Sequence, residues 1–181
     1  PPLEQTLAFS VQPSNLAAGD AFSPVIQVEA HNASGTRITT ATNTITLAIK
    51  ANPGSGVVLG TTTVSAVNGV ATFSDLAINT AGNGYVLTAT SSGLTSAASN
   101  PFNLAPGAAT QLVYATQPAD STSGELLATQ PVLSIKDALG NVVTSSTATV
   151  SLALSAGTLA GTTSLNAVSG VATFTDLSVS T

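Results

Sequence analysis

Any chemistry in this chain has to be built on few residues. His31 is the only histidine, the cations are Arg37, Lys50 and Lys136, and eight carboxylates bring the formal net charge to −5. A hydrolytic triad needs an imidazole base beside a nucleophile and oriented by a carboxylate, and a metal site needs several convergent ligands. The counterpart of His31 in the second half of the chain is Lys136, so neither constellation recurs, and His31 is expected to be an exposed loop residue. Asp75 and Asp176 do hold the same place in two copies of one stretch, where a turn or capping role is expected. Without Cys there is neither a disulfide framework nor a thiolate site. No catalytic residue, cofactor or metal ligand is assigned, and enzymatic activity is not expected.

The stretch that carries these aspartates organises the chain. Residues 60–80, GTTTVSAVNGVATFSDLAINT, return at 161–181 as GTTSLNAVSGVATFTDLSVST, with thirteen of 21 positions identical. Each copy reads as a β-hairpin, two alternating runs around a two-residue turn, Asn68-Gly69 and then Ser169-Gly170. Asn-Gly suits a type I′ turn because both residues tolerate positive φ, and the second copy keeps the glycine. In the second arm Ala71 and Phe73 share one phase, whereas Leu76 and Ile78 share the other. An apolar set cannot change phase in a straight strand without facing solvent, so a bulge or corner is expected at Ser74-Asp75.

Around this stretch the chain alternates short strands with turns. After an extended lead-in over 1–5, strands are expected over 7–11, 21–30, 44–49, 85–90 and 97–104, the last broken at Asn100-Pro101. Ile26, Val28 and Ala30 should face inward, as should Ile45, Leu47 and Ile49, and Tyr85, Leu87 and Ala89. Tyr85, just after Gly82-Asn83-Gly84, stands where a tyrosine corner would bury its ring and bond its hydroxyl to backbone. The second half repeats the first at an offset of 105, which falls to 101 after a loop four residues shorter than its partner. The expected organisation is therefore all-β: two tandem immunoglobulin-like β-sandwiches, 1–104 and 110–181, joined semi-rigidly and end to end by a short linker over 105–109. The second repeat is C-terminally incomplete. Nothing in it matches residues 81–104, so it lacks its last two strands within this chain.

Composition narrows the function. Only 6% of residues are charged, against about 25% in ordinary globular proteins, and Ser and Thr make up 50 of the 181 residues. With three cations the chain cannot neutralise a run of phosphates, which excludes nucleic acid and an anionic membrane surface as partners. No run of apolar residues approaches a membrane-spanning helix. No leader is recognisable, so a secreted protein would carry it upstream of Pro1 or have lost it.

The run KDALGN (136–141), TVSLALSAGTLAGTT (149–163) and NAVSGVATFTDL (166–177) resembles the bacterial Ig-like repeats of invasin and intimin-type surface proteins and related extracellular repeat proteins. AGNGYVLTATSSGL (81–94) resembles them in the first repeat. The resemblance implies a stalk, spacer or filament building block at the bacterial cell surface, with neighbouring Ig-like repeats or further copies of itself as partners. Three readings account for the missing strands: the chain is a piece of a longer array, its ordered part stops at Thr181, or a neighbouring subunit donates the strands. An adhesin module that binds a glycan or host protein through its loops is the alternative. Related arrays stiffen their linkers with calcium, but only Asp120 and Glu125 lie near this one, and no such site is expected. Nor is a lysine isopeptide crosslink, since Lys50 and Lys136 are not equivalent. Asn32-Ala33-Ser34 is a glycosylation sequon, and the hydroxyl-rich faces could carry O-glycans.

Overall fold

The computed structural model describes residues 5–180, so the lead-in over 1–4 and Thr181 lie outside the described residues. The described chain is all-β with several sheets and no helix, as a β-sandwich requires. It divides into two compact units, 1–105 and 106–181.

The first unit contains β1 (Thr6–Val11), β2 (Leu16–Ala17), β3 (Ile26–His31), β4 (Thr44–Ala51), β5 (Val58–Leu59), β6 (Thr63–Ser65), β7 (Val70–Phe73), β8 (Ala77–Ile78), β9 (Gly82–Ser91), β10 (Leu94–Ala98) and β11 (Phe102–Ala105). β1, β3 and β7 form one antiparallel set. β6, β4, β9 and β10 form another. A parallel bridge from Thr6 to Thr95 joins the two sets along one edge. β9 also pairs with β11, which runs parallel to β2. The alternation read from sequence sets the core: Ile26, Val28 and Ala30, Ile45 and Leu47, and Tyr85, Leu87 and Ala89 are all buried, while Ile49 packs at the edge. β3 starts at Ile26, not at Ala21, because Pro24 has no N–H to give a ladder.

The stretch 60–80 is not a two-stranded hairpin. Its turn is closed by a single bridge, Val67 to Val70, after which the arms part: β6 pairs with β4, and β7 pairs with β3. Local alternation records which side of a strand is apolar, and both arms bury that side against one core from opposite sheets. β7 stops at Phe73, and after Ser74-Asp75 the chain forms a new ladder, β8 with β5. Phe73, Leu76 and Ile78 are all buried although their phases conflict, because the corner turns the chain between them.

The second unit contains β12 (Gln111–Thr116), β13 (Val132–Lys136), β14 (Thr149–Ser151), β15 (Thr158–Ala160), β16 (Ser164–Asn166), β17 (Val171–Thr173) and β18 (Ser178–Ser180). Three small sheets hold them: β12-β13-β17, β14-β16 and β15-β18. β14 is three residues long where its counterpart β4 has eight. The same parting of arms occurs here, with a Val168–Val171 bridge, β16 on β14 and β17 on β13. Ala105 ends β11, and the Gly107 N–H donates to Asp137 Oδ2 at 2.9 Å within the second unit.

Candidate functional site

The turn and corner residues shared by the two units shape and hold backbone. Asn68 and Gly69 have φ of 52° and 79°, and Ser169 and Gly170 have 51° and 77°, which makes both turns type I′. Each turn glycine is tied into its surroundings through backbone. Gly69 accepts from the Ala30 N–H and donates to the Ala41 carbonyl, as Gly170 does with Ile135 and Ser146. A Cβ on either glycine would run into a backbone carbonyl, that of Ile38 or Val143. The aspartates at the corners clamp the chain opposite them. Asp75 accepts from the Thr61 N–H at 2.9 Å and its hydroxyl at 2.8 Å, and Asp176 accepts the same pair from Thr162 at the same distances. Those donors, the backbone N–H foremost, hold both carboxyls below the ordinary aspartate value.

Tyr85 is fully buried, its ring stacked on Phe102 at 5.9 Å, and its hydroxyl donates to the Thr80 carbonyl at 2.9 Å. Burial disfavours the phenolate and pushes the Tyr85 pKa up, against the hydrogen bonds with the Gly54 and Gly56 backbone. A second repeated device escaped the sequence reading. Asn32 Oδ1 accepts from the Ser34 and Thr36 N–H groups, and at the same offset Asp137 Oδ1 accepts from those of Leu139 and Asn141. The signal was present as Asn-x-x-Gly against Asp-x-x-Gly. Burial pushes the Asp137 carboxyl up, but hydrogen bonds from Asn141, Gly107 and Leu139 outweigh it and leave the group below its ordinary value. Asn32, the sequon asparagine, is thus engaged in closing a turn.

His31 is not an exposed loop residue. It ends β3, half-buried, with Nε2 2.9 Å from Glu29 Oε2, while Arg37 donates to Glu29 Oε1 at 3.3 Å. Cross-strand pairing puts His31 opposite Arg37, a closure the loop composition did not reveal. Hydrogen bonding by His31 and the Arg37 charge hold the Glu29 carboxyl low, with burial opposing. Next to this trio lies an open basin lined by Gln27, Arg37, Ser65, Asn68 and Thr72 together with Val64, Val67 and Val70. Among the described residues no three of His, Cys, Asp and Glu gather as a metal site, and no described helix is long and apolar enough to cross a membrane.

The largest departure from self-sufficiency is in the second unit. Leu112 is 52% exposed, where its counterpart Leu7 is 5% exposed. Tyr114 and Leu154 are exposed too, and Leu152 and Leu127 are only partly buried, where Leu47 and Phe22 are core. In the first unit β9 pairs along β4 and β10 bridges to β1; among the described residues β14 pairs only with β16, and β12 only with β13. Two apolar hollows result. One, of about 110 Å³, is lined by Tyr114, Leu127, Leu152, Leu154, Leu159 and Val179. The other, of about 300 Å³, lies over Leu112, Ile135 and Val150. Apart from the hydroxyls of Tyr114, Thr110 and Thr149 the surface is largely apolar, and such a surface can take up strands and apolar side chains. Compared with models of known protein families and with curated protein sequences, the chain matches none.

Proposed function

We propose that the chain is a structural module of an extracellular bacterial surface protein or filament, two tandem Ig-like sandwiches acting as a stalk or fibre building block. The observation that carries this reading is the open apolar face of the second unit beside a closed first unit of the same design. The corner aspartates and the Asn32 and Asp137 side chains, equivalent in the repeats, support it, since they are occupied with holding backbone. A module of this kind works by extending and by joining to its neighbours, and its second unit is completed by strands from the next repeat or subunit. The test is electron microscopy of the native full-length protein under non-denaturing conditions. Regular fibres or rigid rods whose repeat is one or a few sandwiches are expected; compact particles with no linear arrangement would overturn the reading.

One observation favours the adhesin alternative. The Glu29, His31 and Arg37 trio and the basin beside it belong to the first unit only, and a glycan is the ligand that its one guanidinium, its amides and hydroxyls and its three valines would take. A glycan array probed with the chain and with Arg37→Ala checks it, the expected outcome being signal that the variant loses.

A further inference from the structure

We infer that the open face of the second unit is a docking groove for one kind of occupant, an uncharged two-strand polypeptide segment of the type of residues 82–105. The first unit shows what covers the corresponding face. There Tyr85, Leu87, Ala89, Phe102 and Leu104 enter the same core cluster as Leu7, Phe22, Leu47 and Ile78. Phe22 packs edge-on against Phe102 with centroids 5.4 Å apart. At the repeat offsets these four residues correspond to Leu112, Leu127, Leu152 and Val179, three of which line the smaller hollow. An apolar cavity of about 110 Å³ is of the order that admits a single aromatic ring, which matches Phe102 or Tyr85. Residues 82–105 contain no Asp, Glu, Lys, Arg or His, and no charged residue lines either hollow. Burying the segment therefore strands no unpaired charge.

The register also follows from the first unit. β4 and β9 run antiparallel with Leu47 opposite Ala89, Ala48 opposite Thr88 and Ile49 opposite Leu87. Transferred by the offset, Leu152, Ala153 and Leu154 receive the residues of the occupant equivalent to Ala89, Thr88 and Leu87. Residues 152–154 would then lengthen β14 from three residues to six, towards the eight of β4.

This deepens the module reading and rests on its claim that strands complete the second unit, but it needs no fibre. The probe is a synthetic peptide of residues 82–105 added to the full chain. Expected are about tenfold or greater slowing of amide exchange at Ala153, whose counterpart Ala48 lies opposite Thr88, and a disulfide between Ala153→Cys in the chain and Thr88→Cys in the peptide, which directly opposed antiparallel positions allow. The absence of native cysteine makes that bond unambiguous. A peptide carrying Tyr85→Ser and Leu87→Ser should lose both signals. No protection, crosslinking that ignores these substitutions, or a chain whose copies occupy the face in sedimentation and exclude the peptide would each overturn the inference. As a second variant, residues 81–105 appended after Thr181 should raise the unfolding temperature of the second unit, and the doubly substituted appendage should not. Peptide binding without fibres overturns the filament alone; fibres without peptide binding overturn this groove alone.

Discussion

At the scale of single residues, Asp75 and Asp176 show how little charge the fold uses and how locally it uses it. Each carboxylate takes two donors from one threonine, which keeps its protonation below the ordinary value of 3.8. A depressed acid stabilises the folded state fully above its unfolded value and loses that contribution as pH falls through its folded value. Thermal stability should therefore fall on acidification below pH 3.8. The Asp75→Asn, Asp176→Asn double variant should melt lower at neutral pH and respond less to acid, as scanning calorimetry at pH 7 and pH 3 would show. Tyr85 makes a different kind of contribution. Its ring is part of the core and its hydroxyl meets the Thr80 carbonyl, so Tyr85→Phe should cost about 1 kcal/mol, the usual worth of one hydrogen bond. Urea unfolding measures that.

At the scale of elements, the repeated stretch joins two sheets through a turn that leaves no latitude. The I′ turn places Gly69 and Gly170 at positive φ, against carbonyls that a Cβ would strike. Gly170→Ala should destabilise the second unit by about 1–3 kcal/mol through strain and displacement of Val143, whereas Asn68→Gly should be nearly neutral because glycine adopts that φ freely. Denaturant titrations of the two variants separate these cases. The corner at Ser74-Asp75 follows from the phase conflict of Phe73 with Leu76 and Ile78, and it was legible in the sequence for that reason. The parting of the arms was not, since strand pairing depends on residues far along the chain.

At the scale of the whole molecule, the two units differ in how far equivalent apolar residues are covered, Leu7 being buried where Leu112 is exposed. Leu7→Ser should cost several kcal/mol, about 2–5 being usual when a buried aliphatic is lost. Leu112→Ser, at an exposed position, should fall within about 0.5 kcal/mol of neutral. Equilibrium unfolding of this chain should accordingly show the second unit melting first, and amide exchange should find Ala153 poorly protected. Equal melting of the two units would contradict the open face.

The sequence by itself determined the all-β class, the repeat and its offset, the phase of the main strands, the turn glycines and the two corner aspartates. These are local matters: the two-residue period of a strand and the φ required of a turn residue are written in adjacent positions. Only the tertiary structure decided that β6 and β7 leave their turn for different sheets, that His31 sits in a strand against Glu29, and that Asn32 and Asp137 close equivalent turns. It decided too that Leu112 and Leu154, apolar and in phase like their counterparts, lie open. An alternating strand records that one face wants cover, but what covers it is a property of the neighbours that the fold brings to it.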